Sequence, residues 1–159
     1  MFSLCFAQTS ALSSRHPDLP MDSANTVELY IPAPEDASRE TSFNWHLTTR
    51  NFFAFLFGKP LVGRHIGQTL VELQERMQLF RSGLINNQQD LLEYLDQQGY
   101  RYLVECPDYA LAMLYYAEHY KLRDVWIDAF AHCCGMNEVL SLSEEFEVCT
   151  TEGTVCIMC

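Results

Sequence analysis

Nowhere in its 159 residues does the chain carry a run of about 18 apolar side chains, so nothing in it can cross a bilayer as a helix. The most apolar stretch, Phe52–Phe57, is far too short. Basic residues are scarce: 10 Lys and Arg stand against 21 Asp and Glu. They form no stripe, and an acidic chain repels phosphate backbones and anionic head groups, so nucleic acid is not an expected partner. Glycine is sparse, and Gly63 and Gly67 stand alone in their loop, which excludes the Gly-rich fingerprints of nucleotide sites. The strained G-x-S-x-G turn of a serine nucleophile is missing as well. A secretory leader is not expected: Met1–Ala11 lacks a basic start and is broken by Gln8, Thr9 and Ser10.

What the chain does contain is core material. Hydrophobic residues make up 48% and aromatics 13%, enough to fill one domain of this length. The net charge of −11 is uneven. Residues 1–83 hold 7 basic and 8 acidic side chains, whereas residues 84–159 hold 3 and 13. There are seven cysteines, an odd number, and Cys133 and Cys134 are adjacent. Without a leader, this reads as reduced thiols in a cytoplasmic or nuclear protein.

Apolar periodicity predicts an all-α fold, a compact bundle of five to six antiparallel helices. Residues 1–25 show no period and read as a disordered segment. Thr26–Ile31 is β-prone and leaves room for one short strand, closed by Pro32 and Pro34. The helical domain is expected over 26–148, with a flexible tail over 149–159. The first helix starts between Asp36 and Ser42 and stops at Gly58, with an apolar face through 43, 47, 50/51, 54 and 57/58. Ile66, Leu70, Leu73, Met77 and Phe80 form the stripe of a second helix, which Gly83 ends. Asn86–Asn87 cap a third, with Leu91, Leu92 and Leu95 inward and Gly99 just past its end. A short extended link, Tyr100–Glu105, leads to a fourth that opens at Pro107–Asp108. Its apolar residues Ala110–Ala117 mark it as central. Lys121–Leu122 hinges into a fifth, with Val125, Trp126, Ala129, Phe130 and Cys133 inward and Asp124, Asp128 and His132 outward. Asn137 caps a sixth over Glu138–Glu147.

Few residues suggest chemistry. His46 and Arg50 lie four apart on the first helix and can share a face; with Asn51 they make a candidate polar cluster. Such a cluster either binds an anion in a small-ligand site or holds the helix against an acidic neighbour. His119, His132, Cys133 and Cys134 invite a zinc reading. Adjacent cysteines diverge by roughly 100° on a helix, however, and Cys133 falls on the apolar stripe, so no metal site is expected. No catalytic residue and no cofactor is expected either. The final Cys156-Ile157-Met158-Cys159 has the form of a prenylation signal. Lipidation of Cys156 would make the chain a membrane-tethered factor, but Glu144, Glu145, Glu147 and Glu152 oppose an anionic surface.

Two longer segments carry a resemblance. His46-Leu-Thr-Thr-Arg50-Asn51-Phe-Phe-Ala54 with Gly58-Lys59-Pro60-Leu-Val62-Gly63, and Cys106-Pro107-Asp108-Tyr109-Ala110-Leu111-Ala112 with Tyr116-Ala117-Glu118-His119, resemble an uncharacterised family of filamentous fungi. The likeness covers roughly residues 38–148. It implies a fungal origin and supplies no activity. Members of that family continue past the position of Phe146–Glu147 into more charged helical sequence. The ending CTTEGTVCIMC therefore implies a truncated or misread gene end. Met113–Val125 is also similar to the paired helices near the end of BTB/POZ domains, which by fold alone implies an interaction module. The expected function is a non-catalytic protein–protein interaction or adaptor domain with a protein partner, and self-association is left open.

Overall fold

The structure is a computed structural model and describes residues 31–81, 83 and 85–151. Seven helices lie among the described residues: α1 (Arg39–Leu56), α2 (Ile66–Phe80), α3 (Asn87–Gln97), α4 (Pro107–Tyr120), α5 (Arg123–Gly135), α6 (Asn137–Leu140) and α7 (Glu145–Thr151). No strand occurs among them, so the fold is all-α as the periodicity predicts. The β-prone segment 26–30, the segment 1–25 and Cys156 lie outside the described residues.

The chain divides into two compact units, residues 1–46 and 47–159. In the first, Ser38 caps the start of α1: its Oγ accepts from the Thr41 N–H at 3.1 Å, which satisfies one of the helix's orphan amides.

In the second unit the core forms around α4. Every residue from Ala110 to Ala117 is buried, because this stretch is apolar or aromatic on all sides and is covered from several directions. It packs most heavily on α5 and α2, with α7 and α6 adding to the enclosure. Leu70, Leu73 and Met77 of α2 and Leu91 and Leu95 of α3 are fully buried, at the positions their 4, 3, 4 spacing assigns. Gly67 brings α2 close to α4: a Cβ there would lie 3.0 Å from Cδ1 of Tyr115.

Three helices end the same way. Beyond α1, α3 and α4 the chain turns left-handed at Gly58, Gly99 and Lys121. Lys59 N–H then donates to Ala54 O, Tyr100 N–H to Leu95 O and Leu122 N–H to Ala117 O, each at 2.8–2.9 Å. Glycine accounts for the first two stops. Lys121 at φ 56 adopts a conformation that a side chain disfavours.

Four expectations need correction. The inward face of α1 is Thr48, Thr49, Asn51 and Phe52, whereas Phe43 and Phe57 are exposed, Phe57 by 72%. Aromatics ring this helix, so its rotation is set by polar anchors. Thr48 Oγ1 donates to Glu72 Oε2 at 2.8 Å, and Arg76 Nη1 donates to Thr49 Oγ1 at 2.5 Å. The Tyr100–Glu105 link is two successive turns, closed by Tyr102 N–H to Gly99 O and Cys106 N–H to Leu103 O. The single helix read over Glu138–Glu147 is two pieces, α6 and α7. Ser143 breaks it by accepting the Glu145 N–H on its own Oγ at 3.2 Å. Finally, Cys149 is buried within α7, its thiol directed at Leu111 O, so ordered structure extends past residue 148.

Candidate functional site

Of the residues singled out on α1, Arg50 and Asn51 lie in the second unit and differ in burial. Asn51 is 1% exposed and clasps one backbone unit. Its Nδ2 donates to Val62 O at 2.7 Å and its Oδ1 accepts from Val62 N–H at 3.0 Å. Both halves of the amide are thereby spent on holding the loop after α1. Tyr94 Oη donates to Lys59 O at 2.5 Å and Tyr100 Oη accepts from Leu61 N–H at 2.8 Å, which fixes the same loop from the other side. Arg50, one residue away and about 100° around the helix, is exposed. His46, in the first unit, is half-buried. The buried guanidinium of the fold is instead Arg76, which lies over the Phe80 ring at 5.2 Å; desolvation holds its pKa below the usual arginine value despite the nearby Glu72.

The thiols behave as packing groups on one side and surface groups on the other. Cys133 is fully buried, and burial, with a contribution from Cys134, pushes its pKa up to about 12, which suppresses the thiolate. Cys134 points out of the helix and is exposed. Among the described residues no three His, Cys, Asp or Glu side chains gather closely enough to hold a metal ion. His132 instead faces Asp128 at 3.9 Å, one turn back on α5.

Sequence reasoning passed over one buried carboxylate. Glu145, at the start of α7, is 3% exposed. Its Oε1 accepts from Ile66 N–H at 2.5 Å and its Oε2 from Gly67 N–H at 3.1 Å, so α7 supplies the missing cap of α2. His65 Nδ1 lies 4.0 Å from Oε1, beyond hydrogen-bond distance. Burial pushes the Glu145 carboxyl above its ordinary value; the Gly67 and Ile66 amides and His65 pull the other way, and Asp108 adds to the rise. Ser143 Oγ donates to Asp108 Oδ1 at 2.5 Å. Both oxygens of Glu145 and the Ser143 hydroxyl are thus engaged inside the fold, and the group serves to tie α7 to α2. Glu145 looked like Glu144 and Glu147 in sequence, because what distinguishes it is a partner 78 residues away.

The concave surface lies elsewhere, where α5 ends and α6 begins. Two adjoining grooves of about 560 and 330 Å³ share Glu105, Gly135 and Met136. Val104 and Val139 line their sides, 49% and 42% exposed. Ile127, 50% exposed, extends the apolar surface along α5 on the outward face that also carries Asp124, Asp128 and Ala131. A signal for this site was present in the sequence. Ile127 falls off the inward stripe of α5, on the side its aspartates assign to water.

Residues 88–155 match a family described as a domain of unknown function, DUF8004. The match begins in α3 and takes in α4 to α7, so it includes the central helix, the grooves and Glu145, but not the Ile66 and Gly67 amides that Glu145 holds. No curated protein and no solved structure matches the chain.

Proposed function

We propose that this chain is a non-catalytic protein–protein interaction domain of adaptor type, acting in the cytoplasm or nucleus, and that it engages its partner through the face where α5 meets α6. One observation carries this reading. Val104 and Val139, 49% and 42% exposed, line a concavity, and Ile127, 50% exposed, lies one turn before its lining residue Ala131, although the domain has a filled core elsewhere. Exposed apolar side chains around a depression are the usual anatomy of a binding surface, with an apolar centre and a polar rim. Here Glu105, Asn137 and Glu138 supply polar groups at the margin.

The test is affinity purification from the native source with wild type and with a Val104→Asp/Val139→Asp variant. Both side chains are partly in water, so the variant is expected to fold, which its circular dichroism melt checks. The reading predicts a reproducible partner held by wild type and lost by the variant. A partner set that is identical for both proteins, or no partner beyond the bait-free control, refutes it.

A further inference from the structure

The charge around this groove specifies what should fill it. Glu105 and Glu138 line it directly, and Asp124 and Asp128 stand on the α5 face that leads into it. The last turn of α5 points its carbonyl end here, which adds the negative pole of the helix dipole. The basic groups nearby do little to offset this. His132 Nε2 lies 3.9 Å from Asp128 Oδ1, beyond hydrogen-bond distance, Lys121 is bound to Glu118 at 2.7 Å, and Arg101 is bound to Asp96 at 2.8 Å. Arg123, exposed one turn before Ile127 on the same row of α5, offsets its neighbour Asp124, so the acidic character is concentrated at Glu105, Asp128 and Glu138.

The shape adds a second requirement. Ile127, Ala131 and Gly135 recur every four residues, roughly 6 Å apart along α5, and the last two are small. A Cβ placed on Gly135 meets nothing within 4 Å, so this end of α5 is open to close approach. Small residues at one-turn spacing, flanked by Val104, Met136 and Val139, suit the apolar stripe of another helix. We infer that the groove between α5 and α6 receives an amphipathic helix with a basic polar face, supplied by a protein partner. Its apolar stripe lies on Ile127, Ala131, Gly135 and Met136, and its Lys or Arg side chains reach Glu105, Asp128 and Glu138. This inference rests on the interaction-domain reading and adds the chemistry of the partner. Among the described residues no helix offers such a face: the 10 basic residues of the sequence are scattered, and several are engaged within the fold.

The experiment uses the full chain and three labelled probe peptides, read by fluorescence anisotropy. One is a leucine-striped helix with lysine on its polar face. The second carries glutamate in place of lysine, and the third is a scramble of the lysine peptide that has no stripe. The inference expects the first to bind at least about tenfold more tightly than either of the others, and to weaken as salt rises. Gly135→Leu, which fills open space, and separately Glu105→Lys/Asp128→Lys, should each weaken it by about tenfold or more. Glu93→Lys, on the exposed face of α3, should leave it unchanged. Equal binding of the lysine helix and its scramble, or binding indifferent to Gly135→Leu, overturns the inference, since either marks diffuse attraction to an acidic protein. Self-association that Gly135→Leu abolishes also overturns it, because the occupant is then a second copy. If the native partner is lost on Gly135→Leu while the lysine helix does not bind, the basic-helix inference falls and the interaction-domain reading stands. If the bait holds no native partner at all, that reading falls independently of the peptides.

Discussion

Glu144 and Glu145 are adjacent in sequence, yet replacing each by alanine should have consequences of very different size. Glu145→Ala removes the acceptor for two backbone amides at the start of α2, those of Ile66 and Gly67. A buried donor left without an acceptor costs about 1–3 kcal/mol, and the Ile66 amide, being only partly buried, falls toward the low end. The sum is about 2–4 kcal/mol, a large share of the stability of a small domain. Glu144 pairs with Arg64 at 3.6 Å across side chains that are 73% and 75% exposed, so solvent screens the pair and Glu144→Ala should stay within about 0.5 kcal/mol. Urea unfolding followed by tryptophan fluorescence measures both. The two variants agreeing within about 0.5 kcal/mol would refute the clasp. The clasp also has a pH signature. Burial raises the Glu145 carboxyl above its ordinary 4.5, so the folded chain holds that proton more tightly than the unfolded one. Its contribution is complete below pH 4.5 and is lost as the pH rises through the raised folded value. Glu145→Gln lacks this titration. The stability advantage of wild type over Glu145→Gln should therefore narrow as the pH climbs above 4.5, and an advantage that widens instead would reverse the sign argued here.

Other perturbations follow from the packing. Leu114→Ala, at the fully buried centre of α4, should cost about 2–5 kcal/mol in the same unfolding assay; a cost below about 1 kcal/mol would make α4 peripheral. Gly67→Ala gains helix propensity but sets a methyl group 3.0–3.2 Å from the Tyr115 ring and Cβ, which the buried core holds in place. It should therefore lose about 1–2 kcal/mol, and a stabilised variant would mean that Tyr115 yields. Lys121→Gly relieves a left-handed residue at the end of α4 and gives up only an exposed pair with Glu118, so it should raise stability by about 0.5–1 kcal/mol in thermal unfolding.

What the sequence made legible followed from how one-sided each pattern is. The apolar stripe of α2 was legible because Leu70, Leu73 and Met77 recur at helical spacing, whereas Gln74 and Arg76, polar yet buried beside it, were not. The stop at Gly99 and the start at Pro107 were legible because backbone chemistry alone fixes them. The rotation of α1 was not, since aromatics surround it and its anchors are Thr48, Thr49 and Asn51, polar residues whose partners Glu72, Arg76 and Val62 lie on later segments. Glu145 and Ser143 were hidden for the same reason: a buried carboxylate and a helix-breaking hydroxyl look ordinary until their tertiary partners are known. The groove was half visible. The period of α5 sets Asp124 and Asp128 outward, and both are exposed, but the groove's walls, Val104 and Val139, come from a turn and a four-residue helix for which no period exists.

The central claim is that this domain works by holding another protein on the face where α5 meets α6. A photo-crosslinking amino acid placed at exposed Ala131, compared in the living cell with one at exposed Glu93 on α3, tests this most directly. The account predicts a discrete covalent adduct with one other protein from position 131 and none from position 93. Adducts from position 93 with none from position 131 would place the working surface elsewhere and contradict it.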